Sequence, residues 1–140
     1  MAIAQTATNE FKTGLMNGTF DFSVDTFKIA LYTANASLDA TTAAYTSAGE
    51  VAASGYTAGG QALIVTVTPT TGDTGTTAYI SFANAQWTTS VTARAALIYK
   101  VGIGNPSVCV LDFGSDKTSA TTFTVQFPAA TNTSAIIRLA

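Results

Sequence analysis

Thr26-Phe-Lys-Ile-Ala-Leu-Tyr-Thr33 decides the fold class. Successive side chains of an extended chain point to opposite faces, so Phe27, Ile29 and Leu31 share one face and Lys28, Ala30 and Tyr32 the other. A helix would need apolar residues three and four apart, and that spacing is absent after residue 20. The same alternation recurs downstream. Residues 62–68 set Leu63, Val65 and Val67 against Ile64, Thr66 and Thr68, and Pro69-Thr-Thr-Gly72 ends the strand. Residues 77–83 aim Ile80 and Phe82 together, and residues 122–127 aim Phe123, Val125 and Phe127 inward. The stretch 134–139 closes the pattern with Ile136, Ile137 and Leu139.

Two segments carry apolar residues on both faces. Residues 93–101 set Ala95, Leu97, Tyr99 and Val101 against Arg94, Ala96, Ile98 and Lys100, which predicts partial cover on each side. Residues 107–113 read as a central strand, reached through the turn Gly102-Ile-Gly-Asn-Pro106. Threonine, abundant throughout, is β-branched and suits a pleated surface with one wet face. The expectation is an all-β protein, an antiparallel jelly-roll-like β-sandwich of about seven or eight strands in a single domain over 1–140.

Two segments stand outside that pattern. Near the N-terminus Thr8 can cap a short helix, Glu10 suits its positive end, Phe11 and Leu15 form an i, i+4 apolar pair, and Asn17-Gly18 stops it. So short a helix must dock its apolar face on its own sheet or on a neighbouring subunit. Residues 34–60 form a connection too long for a minimal sandwich. Leu38, Tyr45, Val51 and Tyr56 anchor it so that it folds against the body, 42–50 has room for a helical turn, and the whole reads as a contact arm.

Composition narrows function. The 140 residues include no histidine and one cysteine, Cys109, and 10% are charged against about 25% in typical domains. Ser-His-Asp and Cys-His catalysis and Cys/His zinc sites therefore have no parts, and no catalytic residue, cofactor or metal is expected. Cys109, between Val108 and Val110, reads as a small buried hydrophobe. Asp21 with Asp25 and Asp112 with Asp116 could serve a glycosidase or a calcium ion, but each pair brackets a turn-like segment where aspartate bonds to backbone. Gly102-Ile-Gly104 and Gly55-x-x-x-Gly59 lack the context of phosphate loops, and Gly59-Gly60 reads as a turn. The six basic residues are scattered and the net charge is −2, which argues against nucleic acid as a partner. No apolar run spans a bilayer and no signal peptide is visible, so no membrane partner is expected. The sequons at Asn17, Asn35 and Asn132 then read as by-products of a threonine-rich chain. Low net charge gives weak colloidal repulsion, which suits a subunit of an assembly.

The order of several segments adds a resemblance. They are Asp25-Thr-Phe-Lys-Ile-Ala-Leu-Tyr-Thr33, Gly49-Glu-Val51, Gly55-Tyr-Thr-Ala-Gly-Gly60, Ala93-Arg-Ala-Ala-Leu-Ile-Tyr99, Leu111-Asp-Phe-Gly-Ser-Asp-Lys117, Phe123-Thr-Val-Gln-Phe-Pro-Ala129 and Ile136-Ile-Arg-Leu139. This series, over nearly the whole chain, resembles the capsid cement, or head decoration, proteins of tailed double-stranded DNA bacteriophages, podophages in particular. The resemblance implies a jelly-roll-like fold, a homodimer, and binding to the major capsid protein on the outer capsid surface of a virion assembled in the bacterial cytoplasm. It brings no enzymatic motif. Expected contact residues are Phe11 and Leu15 on the helix, Tyr45 and Tyr56 on the arm, and the outward-pointing Ile64, Ile98 and Ile136, whose facing a one-residue register slip would invert. The alternative is a tail or fibre β-sandwich that stacks host carbohydrate on Trp87 and the tyrosines.

Overall fold

A computed structural model describes residues 2–72 and 75–140, and there the chain is all-β with one short helix. The strands are β1 (Thr6–Ala7), β2 (Phe27–Tyr32), β3 (Gln61–Leu63), β4 (Val65–Thr70), β5 (Ala78–Phe82), β6 (Ala85–Trp87), β7 (Thr92–Lys100), β8 (Ser107–Thr118), β9 (Phe123–Val125) and β10 (Ile137–Leu139). Helix α1 (Asn9–Asn17) follows β1. The Thr8 side chain accepts from the Phe11 amide at its start. Gly18, left-handed at φ 81°, ends it with its amide donating to the Gly14 carbonyl.

Every strand pair is antiparallel. One sheet has the order β1-β8-β7-β2-β3, a second β10-β5-β4, and β6 pairs with β9. Strands β3 and β4 are one run of chain interrupted at Ile64, so the same run serves both larger sheets. The two sheets thus form a single roll from β1 through β8, β7, β2, β3/β4 and β5 to β10. The free edges of β1 and β10 are its two ends.

The roll encloses the main core. Phe27, Ile29 and Leu31 of β2 meet Ile80 and Phe82 of β5, Trp87 of β6 and Phe123 and Val125 of β9. The face of α1 packs into it through an aromatic chain: Phe11 lies edge-on to Phe20 and Phe22, and Phe22 stacks on Phe27 at 4.7 Å. The predicted alternation of β2 therefore holds. Its second face is also covered, because Ala30, Tyr32, Ala95, Leu97, Tyr99 and Val110 form a smaller core with Ala36 and Leu38.

The cover for that second face is the 34–60 connection, which folds against the body through the expected anchors. Ala36 and Leu38 close the small core, whereas Val51 and Tyr56 enter the main one. The backbone is tied down as well. Thr33 N–H donates to the Gly49 carbonyl and Val51 N–H to the Leu31 carbonyl, occupying the β2 edge that short β3 leaves free. No helical turn forms over 42–50.

The expected seven or eight strands become ten among the described residues. The expected strand 62–68 splits at Ile64, and β10 begins at Ile137 rather than 134. Strand β8 runs on to Thr118 instead of turning at 113–115. Gly114, at φ 82°, sits in an irregularity where Ala93 pairs with Lys117 but Ala95 with Asp112. β1 and β6 were not visible in the alternation because each is too short to show a period.

Candidate contact surface

The polar groups with the best geometry are structural. Glu50 lies beside Tyr32 on the connection, and its carboxylate accepts three hydrogen bonds: Tyr45 Oη at 2.6 Å, Tyr56 Oη at 2.8 Å and the Gly59 amide at 2.7 Å. Tyr56 Oη in turn accepts from the Leu31 amide at 2.8 Å. Tyr99 Oη donates to the Gly59 carbonyl at 2.6 Å, and Tyr32 Oη to the Thr46 carbonyl at 2.7 Å. Tyr45 also stacks on Tyr99 at 4.9 Å. Four tyrosines and one carboxylate thus clasp the connection to the sheet. Burial, joined by the negative charge of Glu50, raises all four phenol pKa values above the ordinary 10, that of Tyr45 to about 12. These phenols are poised to stay protonated donors.

The aspartates are occupied in the same way. Asp21 accepts from the Ser23 amide at 2.9 Å, and Asp25 accepts from the Asp21 amide at 2.7 Å and pairs with Lys100 at 3.1 Å. Asp112 accepts from Arg94 at 3.0 Å and from the Gly114 amide at 2.8 Å, and these two donors hold its carboxyl below the usual range. Asp21 and Asp25 do bracket a turn, whereas Asp112 and Asp116 lie within β8. Among the described residues no three Asp, Glu, Cys or His side chains gather as metal ligands. Cys109 is buried, as read from sequence, and burial pushes its thiol up to about 12. Among the described residues no helix is long and apolar enough to cross a membrane.

The expected contact residues divide. Ile64 points outward at the bend between β3 and β4 and is 61% exposed. Leu15, Tyr45 and Ile136 are half-buried. Phe11, Tyr56 and Ile98 are buried, so their assignment to an outer surface is corrected. The α1 face docks on its own sheet, Tyr56 is spent in the clasp, and Ile98 faces the main core because β7 is covered on both sides. Of the aromatic residues considered for sugar, Trp87, Tyr32, Tyr56 and Tyr99 are likewise buried, whereas Tyr45 and Tyr79 are half-buried.

Other apolar side chains reach solvent. Met16 is 84% exposed, Val24 76% and Leu139 56%, and Ile103 is fully exposed at the tip of the β7–β8 turn. Sequence alone carried a signal for three of them. Val24 and Ile103 sit inside turns, and Met16 lies off the Phe11–Leu15 face. Between the ends of the roll runs an open apolar groove of about 380 Å³, with Thr6 and Ala7 on one side, Ile137 and Leu139 on the other, and Cys109 among the residues lining it. A second groove of about 300 Å³ adjoins it, sharing Phe11, Leu15, Ile137 and Leu139. Comparison of the chain with protein-family models, curated proteins and solved structures found no match.

Proposed function

We propose that this protein is a capsid cement protein of a tailed bacteriophage, binding the outer face of the head as a homodimer and bridging major capsid protein subunits. The observation that carries this reading is the set of large apolar side chains exposed at separate places on a pinned β body: Leu139 by the groove, Met16 on the helix, Val24 and Ile103 on turns, and Ile64 at the sheet bend. A cement must present its contacts without first ordering them, since each side chain ordered on binding costs about 0.5–1.5 kcal/mol. The clasp at Glu50 and the two-sided cover of β2 and β7 supply that rigidity. Several small contacts then act together through effective concentration. Binding only the assembled shell stabilises it by mass action. The sequence resemblance to head decoration proteins supports the same assignment.

The test mixes purified protein with phage heads that lack it. Binding to the head exterior and a raised temperature of head rupture are expected. Ile64→Asp with Ile103→Asp should weaken binding by about tenfold or more while leaving the melting temperature of the free protein within a few degrees, since neither side chain is buried. Heads that neither bind the protein nor gain stability would end the proposal.

A further inference from the structure

We propose that the gap between β1 and β10 receives one extended segment of another protein, which adds as a strand and carries carboxylates beside its apolar residues. Among the described residues each of these two strands has a partner on one side only, β8 for β1 and β5 for β10. The outer edge of β1 presents backbone amides to the gap. Along it the amides of Ala4 and Thr8 turn inward, to Leu38 and Val108, so by alternation those of Gln5 and Ala7 turn toward the gap. The Ala7 carbonyl is met by the hydroxyl of its own neighbour, Thr6, at 2.9 Å. Unpaired edges of this kind are templates for strand addition. The groove between them is apolar, which sets the alternate apolar side chains of the occupant. Its charge sets the rest: Lys12 and Arg138 line it, and among the described residues none of the lining is acidic. The Lys100 and Arg94 charges, by contrast, are already paired with aspartates. The inference rests on the strand order and the groove, and holds whether or not the chain serves a capsid.

The test uses the full chain and a capped synthetic peptide, Thr-Val-Glu-Val-Thr-Val-Glu-Val, with a lysine-for-glutamate twin as control. Amide exchange followed by NMR should show the acidic peptide slowing Gln5 and Ala7 and the 137–139 segment, and binding at least about tenfold more tightly than the basic twin. Lys12→Glu with Arg138→Glu, in protein of unchanged melting temperature, should reverse that preference. Should this variant melt early, raising salt on the unaltered protein must weaken the acidic peptide at least about threefold, as expected for screened exposed charges. Equal binding of the two peptides, protection elsewhere or nowhere, or occupation of the same edges by a second copy of the chain without peptide would overturn the proposal.

Discussion

Replacing Glu50 by alanine removes the acceptor for three donors at once. Hydrogen bonds to a charged group contribute roughly 1.5–3 kcal/mol each, so simple addition gives an upper bound near 9 kcal/mol. The structure lowers that figure. Tyr45 is half-buried and can turn to water, and Tyr56 keeps its bond from the Leu31 amide. The unrecovered part is the buried Tyr56 hydroxyl proton and the Gly59 amide, both served by one carboxylate oxygen. A loss of about 3 kcal/mol is expected for Glu50→Ala. At this chain length that lowers the melting temperature by about 10 °C. Glu50→Gln keeps a carbonyl for Tyr56 and Gly59, and the Tyr45 hydroxyl can reverse to accept from the new amide, so about 1 kcal/mol is expected. Urea titration followed by far-UV circular dichroism gives both numbers. Trp87 is the chain's single tryptophan, 6.2 Å from the Tyr56 ring, and its emission in the absence of urea reports local loosening. The reasoning fails if Glu50→Ala stays within about 0.5 kcal/mol of the parent, or if glutamine is as damaging as alanine.

Alkali should unfold the protein cooperatively. Tyr32, Tyr56 and Tyr99 are buried with raised pKa values, so above pH 10 the unfolded chain loses protons that the folded chain keeps. Their contribution to stability is whole below pH 10 and declines as pH rises, by about 1.4 kcal/mol per pH unit for each tyrosine. Phenolate absorbance should therefore rise together with loss of near-UV circular dichroism, and an independent, gradual titration would contradict the clasp. Gly60→Ala should cost about 3 kcal/mol or more, measured by urea titration, because φ is 78° and a Cβ there would run into the Ile29 carbonyl. Cys109 should react with iodoacetamide at pH 8 about a thousandfold more slowly in the native protein than in urea, since its thiol is pushed up to about 12; mass spectrometry of the alkylated chain checks this.

Alternation located the strand-forming segments because period-two patterning survives wherever a strand is long enough to show it. It placed Phe27, Ile29 and Leu31 on the core face and recognised that 93–101 is covered twice. It misjudged Ile98 as outward because both faces of β7 are apolar, so periodicity cannot say which face meets the larger core. It could not see β8 continuing past Phe113, since Gly114 reads as a turn residue and only the pairing with β7 shows an irregularity. The Phe11–Leu15 pair left two docking partners open, and only the tertiary stack of Phe20, Phe22 and Phe27 decides between them.

The low charge is not explained by double burial. Strands β2 and β7 are buried on both faces and the first half of β8 nearly so, because the 34–60 connection covers the side that a two-layer sandwich leaves wet. Charged residues nevertheless enter these strands at Lys28, Arg94, Lys100 and Asp112, each only part-buried, with Arg94 and Lys100 paired to aspartates. The shortage of Asp, Glu, Lys and Arg therefore falls on the rest of the chain as well. Exposed charge scarcity is the weaker argument for contact, and exposed apolar side chains are the stronger one. Met16, Val24, Ile64, Ile103 and Leu139 gain little from burial in the monomer, so any selective value they have must lie in what they touch outside it.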